Sequence, residues 1–206
     1  MPDIVGLILA GGRSSRMGGG DKTILPIRGS PMIQIVADRL RRQVDQIAIS
    51  SNQDPVGFPV LGLPVLADSI TDFQGPLAGI LTGLEWATSV QAARLLTVAG
   101  DTPFFPPDLA KRLMSGAPTG NIVIAGSQSG LHPVFALWPT ALAKDLRGHL
   151  ETGATRKVLA FIDRYPHATV TFDSVDLPGG PIDPFFNINT PDDLAEARRL
   201  LHDGAQ

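Results

Sequence analysis

"IVGLILAGGRSSRMGGGDKTILPIRG", residues 4–29, sets the architecture of the chain. Ile4 to Leu9 form a short, almost wholly apolar run, the pattern of a parallel strand covered on both faces. The run stops at Gly11-Gly12, three more glycines follow at positions 18 to 20, and Arg13, Arg16 and Lys22 are threaded among them. Beyond this stretch Ile33, Val36, Ala37, Leu40 and Val44 recur at helical spacing, with Pro31 suited to the helix start. Asp38, Arg39, Arg41 and Arg42 take the other faces, so this helix should lie outside a sheet.

The same alternation continues along the chain. "QIAIS" (46–50) is a second strand, and "PVLGLPVLAD" (59–68) reads as a loop and a brief strand ending at Asp68. "GPLAGILTGLEWA" (75–87) opens on a Gly-Pro turn and continues at helical period. "ARLLTVAGD" (93–101) is another apolar strand, and "PPDLAKRL" (106–113) predicts a helix with Pro107 and Asp108 in its first turn. Later, "NIVIAG" (121–126) and "HPVFALWP" (132–139) read as strands, and "TALAKDLRGHL" (140–150) and "TRKVLAFIDRY" (155–165) as helices. "HATVTF" (167–172) suits an edge strand, and Thr190 caps a last helix running to about Leu201. Strand and helix in this order require right-handed crossovers and a mostly parallel sheet. The expected fold is α/β, a Rossmann-like three-layer α/β/α sandwich with room for an antiparallel strand at an edge. No repeat or linker interrupts residues 1–206, which points to a single domain.

Composition narrows the function. A 206-residue chain can bury one sizeable core, and 43% hydrophobic with 18% charged residues is ordinary for a globular protein. The net charge of −3 argues against a nucleic-acid-coating surface. With no cysteine, thiolate nucleophiles and Cys-ligated zinc are excluded. The opening apolar run lacks a basic start and is too short for a signal peptide or a membrane span. A cytoplasmic protein without membrane or nucleic-acid partners is expected.

In a doubly wound sheet, ligands bind beyond the carboxyl ends of the strands where strand order reverses. The first strand and the Leu95–Ala99 strand are the natural neighbours there, which would set Ala10 to Lys22 and Asp101 across one cleft. "GGGDKT" places Asp21 before Lys22 and so is no Walker A loop, and the third glycine of a dinucleotide fingerprint is missing. Bare N–H groups and three cations suit oxyanions, although a solvated surface loop would have the same composition. Beside such a cradle Asp101 suits Mg²⁺, which binds through one or two carboxylates plus substrate phosphates; otherwise it is a turn former. Asp68 would meet nucleotide hydroxyls or simply begin the "DSITD" turn. Arg156 and Lys157, at an expected helix start, mark either a second phosphate site or two snorkelling cations. Asn187 and Asn189 share one face of an extended segment and suit a heterocycle with a mixed edge, or ordinary cap chemistry. The four histidines (132, 149, 167 and 202) lack metal-ligand spacing, and His132 is structural or lines the cleft rather than acting as a base.

"LILAGGRSSRMGGGDK", "DSITDFQGPLAGI", "GDTPFFPPDLAKRL", "HPVFAL" and "FNINTPDDL" together resemble the MobA-like molybdenum cofactor guanylyltransferases of the nucleotidyltransferase superfamily. The likeness runs from Leu7 to about Leu194. It implies transfer of GMP from GTP to molybdenum–molybdopterin, with Mg²⁺ as cofactor and pyrophosphate as leaving group. By matching position it implies GTP contacts at Leu9, Ala10, Gly11, Gly12, Lys22, Asp68 and Asp101, with Asp101 also the metal ligand. Arg16, Gly79, Arg156, Asn187 and Asn189 match positions facing molybdopterin, and Arg16, Lys22 and Asp101 would carry catalysis. The family often has a nucleotide-contacting Asn at the end of the second strand. This chain has Ser50 there and Asn52 two places on, so either takes that role. Transient contact with cofactor-delivering or molybdoenzyme-maturation proteins follows from the same likeness. A cytidylyltransferase on this scaffold, or a non-catalytic nucleotide-binding or cofactor-carrying protein, are the alternatives. Gly11-Gly12 tilts towards GTP, since cytidylyl relatives tend to have alanine then glycine.

Overall fold

The computed structural model describes residues 3–10, 23, 25–52, 61–70, 75–116, 120–153 and 155–201. β1 (Ile4–Leu9) forms from the opening apolar run. A tight hairpin, β2 (Pro26–Ile27) and β3 (Ser30–Pro31), turns through Arg28 and Gly29, both at positive φ. It delivers the chain to α1 (Met32–Arg41). There follow β4 (Gln46–Ser50), β5 (Val65–Leu66), α2 (Pro76–Ser89), β6 (Arg94–Ala99) and α3 (Leu109–Ser115). The second half holds β7 (Ile122–Ser127), β8 (Gly130–Pro139), α4 (Ala143–Glu151), α5 (Val158–Ile162) and β9 (His167–Thr171). A hairpin of β10 (Val175–Leu177) and β11 (Gly180–Ile182) precedes α6 (Pro191–Leu201).

Seven strands form the central sheet in the order β5-β4-β1-β6-β8-β7-β9. Period-two alternation in β1 divides its side chains between two cores. Ile4 and Ile8 meet α1 and α3, whereas Val5, Leu7 and Leu9 meet α2, α4 and α5. This is the three-layer sandwich expected. α2 presses closely on the sheet because it presents Gly79 and Gly83, one turn apart, to β1. A Cβ on Gly83 would lie 2.5 Å from Leu7 Cδ2, and one on Gly79 2.7 Å from Leu9 Cδ2. A third cluster, from Ile27, Met32, Phe104, Ile182, Ile188, Leu194, Ala197 and Leu200, seats α6 and the segment before it.

Four expectations need adjustment. "HATVTF" is an edge strand, but β9 pairs parallel with β7; the antiparallel member is β8, inside the sheet. The cause is the two-residue turn Gln128-Ser129, which permits only an antiparallel return, whereas α4 and α5 give β9 a crossover. Pro107 and Asp108 precede α3, with Asp108 at the N-cap position. α1 ends at Arg41, and Val44 packs on the core from the following loop. Finally, α5 is only five residues long, because Lys157 is extended (φ −75°, ψ 123°) and ends the helix on its N-terminal side. Lys157 is thus the N-cap residue with Arg156 just before it, at the helix start as expected, although a helix of five residues gives the dipole little strength. No helix among the described residues is long and apolar enough to cross a membrane.

Candidate active site

Four parallel strands end on one level. Leu66, Ser50, Leu9 and Ala99 are in mutual register across β5, β4, β1 and β6. The ladder continues one residue further, with Ala10 N–H donating to Ser50 O (2.9 Å), Gly100 N–H to Leu9 O (3.0 Å) and Ser51 N–H to Leu66 O (3.0 Å). Strand order reverses between β1 and β6, since β4 and β5 lie on one side and β6 on the other. Ala10 and Asp101 thus flank the switch point, as the sequence led one to expect.

The glycine-rich segment leaves the rim at Ala10. Gly11, Gly12, Arg16 and Lys22 lie outside the described residues. Thr23, where description resumes, is buried, with its Cγ2 3.3 Å from where a Cβ on Gly100 would stand. Both flanks of that segment therefore abut the turn that carries Asp101.

The side chains around the rim fall into three groups. Leu9, Ser50 and Gly79 converge under the start of α2. Ser50 is 4% exposed, and its Oγ lies 2.6 Å from a Cβ position on Gly79. Asn52 and Asp68 form the second group. Asn52 Nδ2 donates to Asp68 Oδ2 (2.7 Å), and Asp68 N–H donates back to Asn52 Oδ1 (2.8 Å). β5 stops two residues short of Asp68. Burial holds the Asp68 carboxyl above the ordinary aspartate range, and the Asn52 hydrogen bond draws it partly back. The next residue anchors to α2 through Ser69 N–H to Thr82 Oγ1 (2.9 Å). Of the two residues left open at the end of β4, Asn52 stands at the rim and Ser50 beneath α2.

The third group surrounds Asp101. Its half-buried carboxylate accepts from Thr102 Oγ1 (3.3 Å), while its backbone carbonyl accepts Ile188 N–H (2.9 Å). Ile188 is buried, and Asn187 and Asn189 on either side are exposed, so the two asparagines do share a face. A capping box follows. Asp193 Oδ2 accepts from Asn189 N–H (2.9 Å) and Thr190 N–H (2.8 Å), and Thr190 Oγ1 accepts Asp193 N–H (3.1 Å). Arg156 is exposed just ahead of α5; beside it, Thr155 O lies 2.9 Å from His149 Nε2.

One cluster escaped the sequence reading. Ser127 Oγ donates to Asp183 Oδ2 (2.6 Å) and lies 2.7 Å from His132 Nε2. Only the HP dipeptide at 132–133 hinted at it, because Ser127 and Asp183 are 56 positions apart.

A mostly parallel sheet that reverses its order beside β1, with a glycine-rich sequence after that strand and a carboxylate at the end of its neighbour, defines a doubly wound α/β protein with a ligand cleft at the switch point. Comparison with known proteins narrows the class. The family model of the MobA-like NTP transferase domain matches residues 6–169. A molybdenum cofactor guanylyltransferase of Mesorhizobium japonicum is 50% identical over 202 residues, covering 97% of this chain and 96% of that protein. One from Rhodopseudomonas palustris is 45% identical over 97% of this chain and 94% of its own length. In three dimensions the fold matches molybdopterin-guanine dinucleotide biosynthesis protein A of Archaeoglobus fulgidus. Its TM-score is 0.69 at 22% identity, over 95% of this chain and 96% of that one. The chain belongs to the MobA-like NTP transferases, among the molybdenum cofactor guanylyltransferases.

Proposed function

We propose that this chain, acting as one nucleotidyltransferase domain in the cytoplasm, transfers GMP from GTP to molybdenum–molybdopterin. A terminal phosphate oxygen of the acceptor bonds to the α-phosphorus of GTP as the α–β bridge breaks, and pyrophosphate leaves. The observation that carries this reading is the level row of strand ends at the switch point, with Asn52–Asp68 on one side of β1 and Asp101 on the other. Family membership supports the choice of substrates.

The chemistry asks little of a general base. A phosphate monoester has its second pKa at about 6 and is largely ionised at neutral pH. The problem is to bring two anions together, which is a matter of positioning and electrostatics. Leu9, Ala10, Gly11 and Gly12 would admit the nucleotide with bare backbone N–H groups. Lys22 and Arg16 would neutralise phosphate charge. Asp68, held by Asn52, would accept from ribose hydroxyls, whereas Gly79, expected to face the acceptor, is buried directly against Leu9 and Ser50 and seats α2 on them. Arg156, Asn187 and Asn189 would meet the acceptor.

The residues at the rim fit Mg²⁺. Asp101 is a half-buried, hard oxygen donor, and no cluster of three His, Cys, Asp or Glu among the described residues could hold a metal without substrate. One carboxylate completed by phosphates is the usual manner of Mg²⁺ binding. Asp101 would hold the ion, which when bound would supply charge neutralisation at the α-phosphate of GTP and on the leaving pyrophosphate. Transient contact with proteins that deliver the cofactor, or with enzymes that receive the product, belongs to the same proposal.

The test is incubation of the purified protein with Mg²⁺, molybdenum–molybdopterin and each nucleoside triphosphate in turn. GTP should be consumed, with pyrophosphate released in step. Use of CTP instead would make it a cytidylyltransferase. Binding without turnover would make it a carrier.

A further inference from the structure

Ser127, His132 and Asp183 form a polar cluster that the reaction does not use directly. Ser127 closes β7, His132 lies on β8, and Asp183 follows β11. The Ser127 hydroxyl donates its proton to Asp183 Oδ2 at 2.6 Å. Its oxygen, 2.7 Å from His132 Nε2, can then only accept, so Nε2 carries the proton. Ser129 adds its N–H at 3.2 Å and its Oγ at 3.0 Å to the same hydroxyl. Serine is therefore the middle member, and the cluster lacks the order of a nucleophilic triad, in which the imidazole lies between. Asp183 in turn organises a turn. Its Oδ1 accepts Phe185 N–H (2.8 Å), and its carbonyl accepts Phe186 N–H (3.0 Å). The His132 ring lies on Phe185 with centroids 4.4 Å apart.

Phe185 is already anchored by Phe135 and Phe172, at 4.9 and 5.6 Å between centroids. Apolar packing would hold this turn without a carboxylate, and bringing a carboxylate out of water is unfavourable. What hydrogen bonds add is direction. Asn187 follows directly on Phe186, and the residue after it, Ile188, is tied to Asp101 O. Asn187 thus sits between two fixed points, the Asp183 turn and the Asp101 carbonyl. The ionisation states agree with the geometry. Burial keeps His132 below the ordinary histidine range against the pull of Asp183. Although burial works upward on Asp183, the Ser127, Phe185 and Ser129 hydrogen bonds and the nearby His132 outweigh it and leave its carboxyl below the usual range.

We infer that Ser127, His132 and Asp183 are positioning residues for the acceptor, fixing the Asn187 side chain through the 183–186 turn. This rests on the reading of Asn187 as an acceptor contact. Steady-state kinetics with molybdenum–molybdopterin and GTP test both. Ser127→Ala removes a hydrogen bond to a charged group and should raise the acceptor KM about tenfold while the GTP KM stays in place. Asn187→Ala should act alike, and the double variant should be no worse than Asn187→Ala alone, because the brace works through that side chain. If Ser127→Ala does not fold, Asp183→Asn reads the same KM with a smaller rise. An unchanged acceptor KM in the brace variant, or a double variant whose effects multiply, overturns the brace and leaves Asn187 in the site. An unchanged KM in Asn187→Ala overturns the acceptor reading and the brace together.

Discussion

Leu9 and Ile188 are tied to consecutive residues of one turn, Gly100 and Asp101, by bonds of 3.0 and 2.9 Å, yet they are held in place by different means. Leu9 is fixed by backbone ladders on both sides, to β4 and to β6. The segment carrying Ile188 belongs to no strand of the central sheet. It depends on side chains: Asp183 at one end, the Thr190–Asp193 capping box at the other, and Ile188 buried between. Ladder bonds survive most single substitutions, whereas a side-chain brace loses its geometry with one. The nucleotide half should therefore fail only where a side chain meets ligand or where α2 is pushed off the sheet. The acceptor half should be open to damage from outside the site.

The strongest challenge is at the shared turn. Asp101→Ala should lower turnover on the order of 10³-fold, measured by pyrophosphate release, because the metal-held phosphate charge loses its protein anchor. GTP should still bind, more weakly, in calorimetry. A rate near normal would remove Asp101 from the metal role.

α2 offers the next test. Gly79→Ala sets a Cβ 2.6 Å from Ser50 Oγ and 2.7 Å from Leu9 Cδ2, and Gly83→Ala sets one 2.5 Å from Leu7 Cδ2. Overpacking of this kind costs about 1–3 kcal/mol, so both variants should melt earlier. Only Gly79→Ala disturbs the rim, and only it should raise the GTP KM. Equal KM values in the two variants would mean that the ladder, not α2, sets Leu9.

Asn52→Ala separates a side-chain contribution within the ladder-built half. Loss of its bonds to Asp68 should raise the GTP KM about tenfold at neutral pH. The pH dependence has a definite sign. Asp68 is a strong acceptor on both oxygens only when ionised, since protonation turns one of them into a donor, and its carboxyl already lies above the usual range through burial. The Asn52 bond pulls it down, so removing that bond raises it further. The acid-side loss of GTP affinity should then begin at a higher pH in the variant, as a pH series of GTP titrations would record. A shift to lower pH would sever the link between the two residues.

The same division decides what could be read from the sequence. β1 and β6 were legible because strands covered on both faces are continuously apolar, and their pairing followed from the switch point of a doubly wound sheet. So was Thr190, whose cap partner lies three residues on. The Asn52–Asp68 pair spans 16 positions and exists only because β4 and β5 end in register. The interior antiparallel strand was hidden for a related reason, since "NIVIAG" and "HPVFALWP" show two strands but not their partners. A register shift lies between Ile124, opposite Ala136, and Ala125, opposite His132, so residues 133–135 of β8 have no partner on β7. Pro133, with no N–H to give a ladder, lies in that irregular stretch. Thr97 Oγ1 donates to Val134 O at 2.6 Å, satisfying a carbonyl there. Local chemistry announces itself in sequence; contacts made by register do not.

The mildest test is at the far end of the acceptor segment. Thr190→Ala removes the acceptor for Asp193 N–H and half of the capping box, worth about 1 kcal/mol. For a chain of this size that corresponds to a melting point lower by roughly 2–4 °C. Ile188 remains buried and bonded to Asp101 O, so the acceptor KM should rise only severalfold and the GTP KM should not move. If instead the GTP KM rose with it, the 187–190 segment would be holding Asp101 in place, and the two halves of the rim would be one mechanical unit.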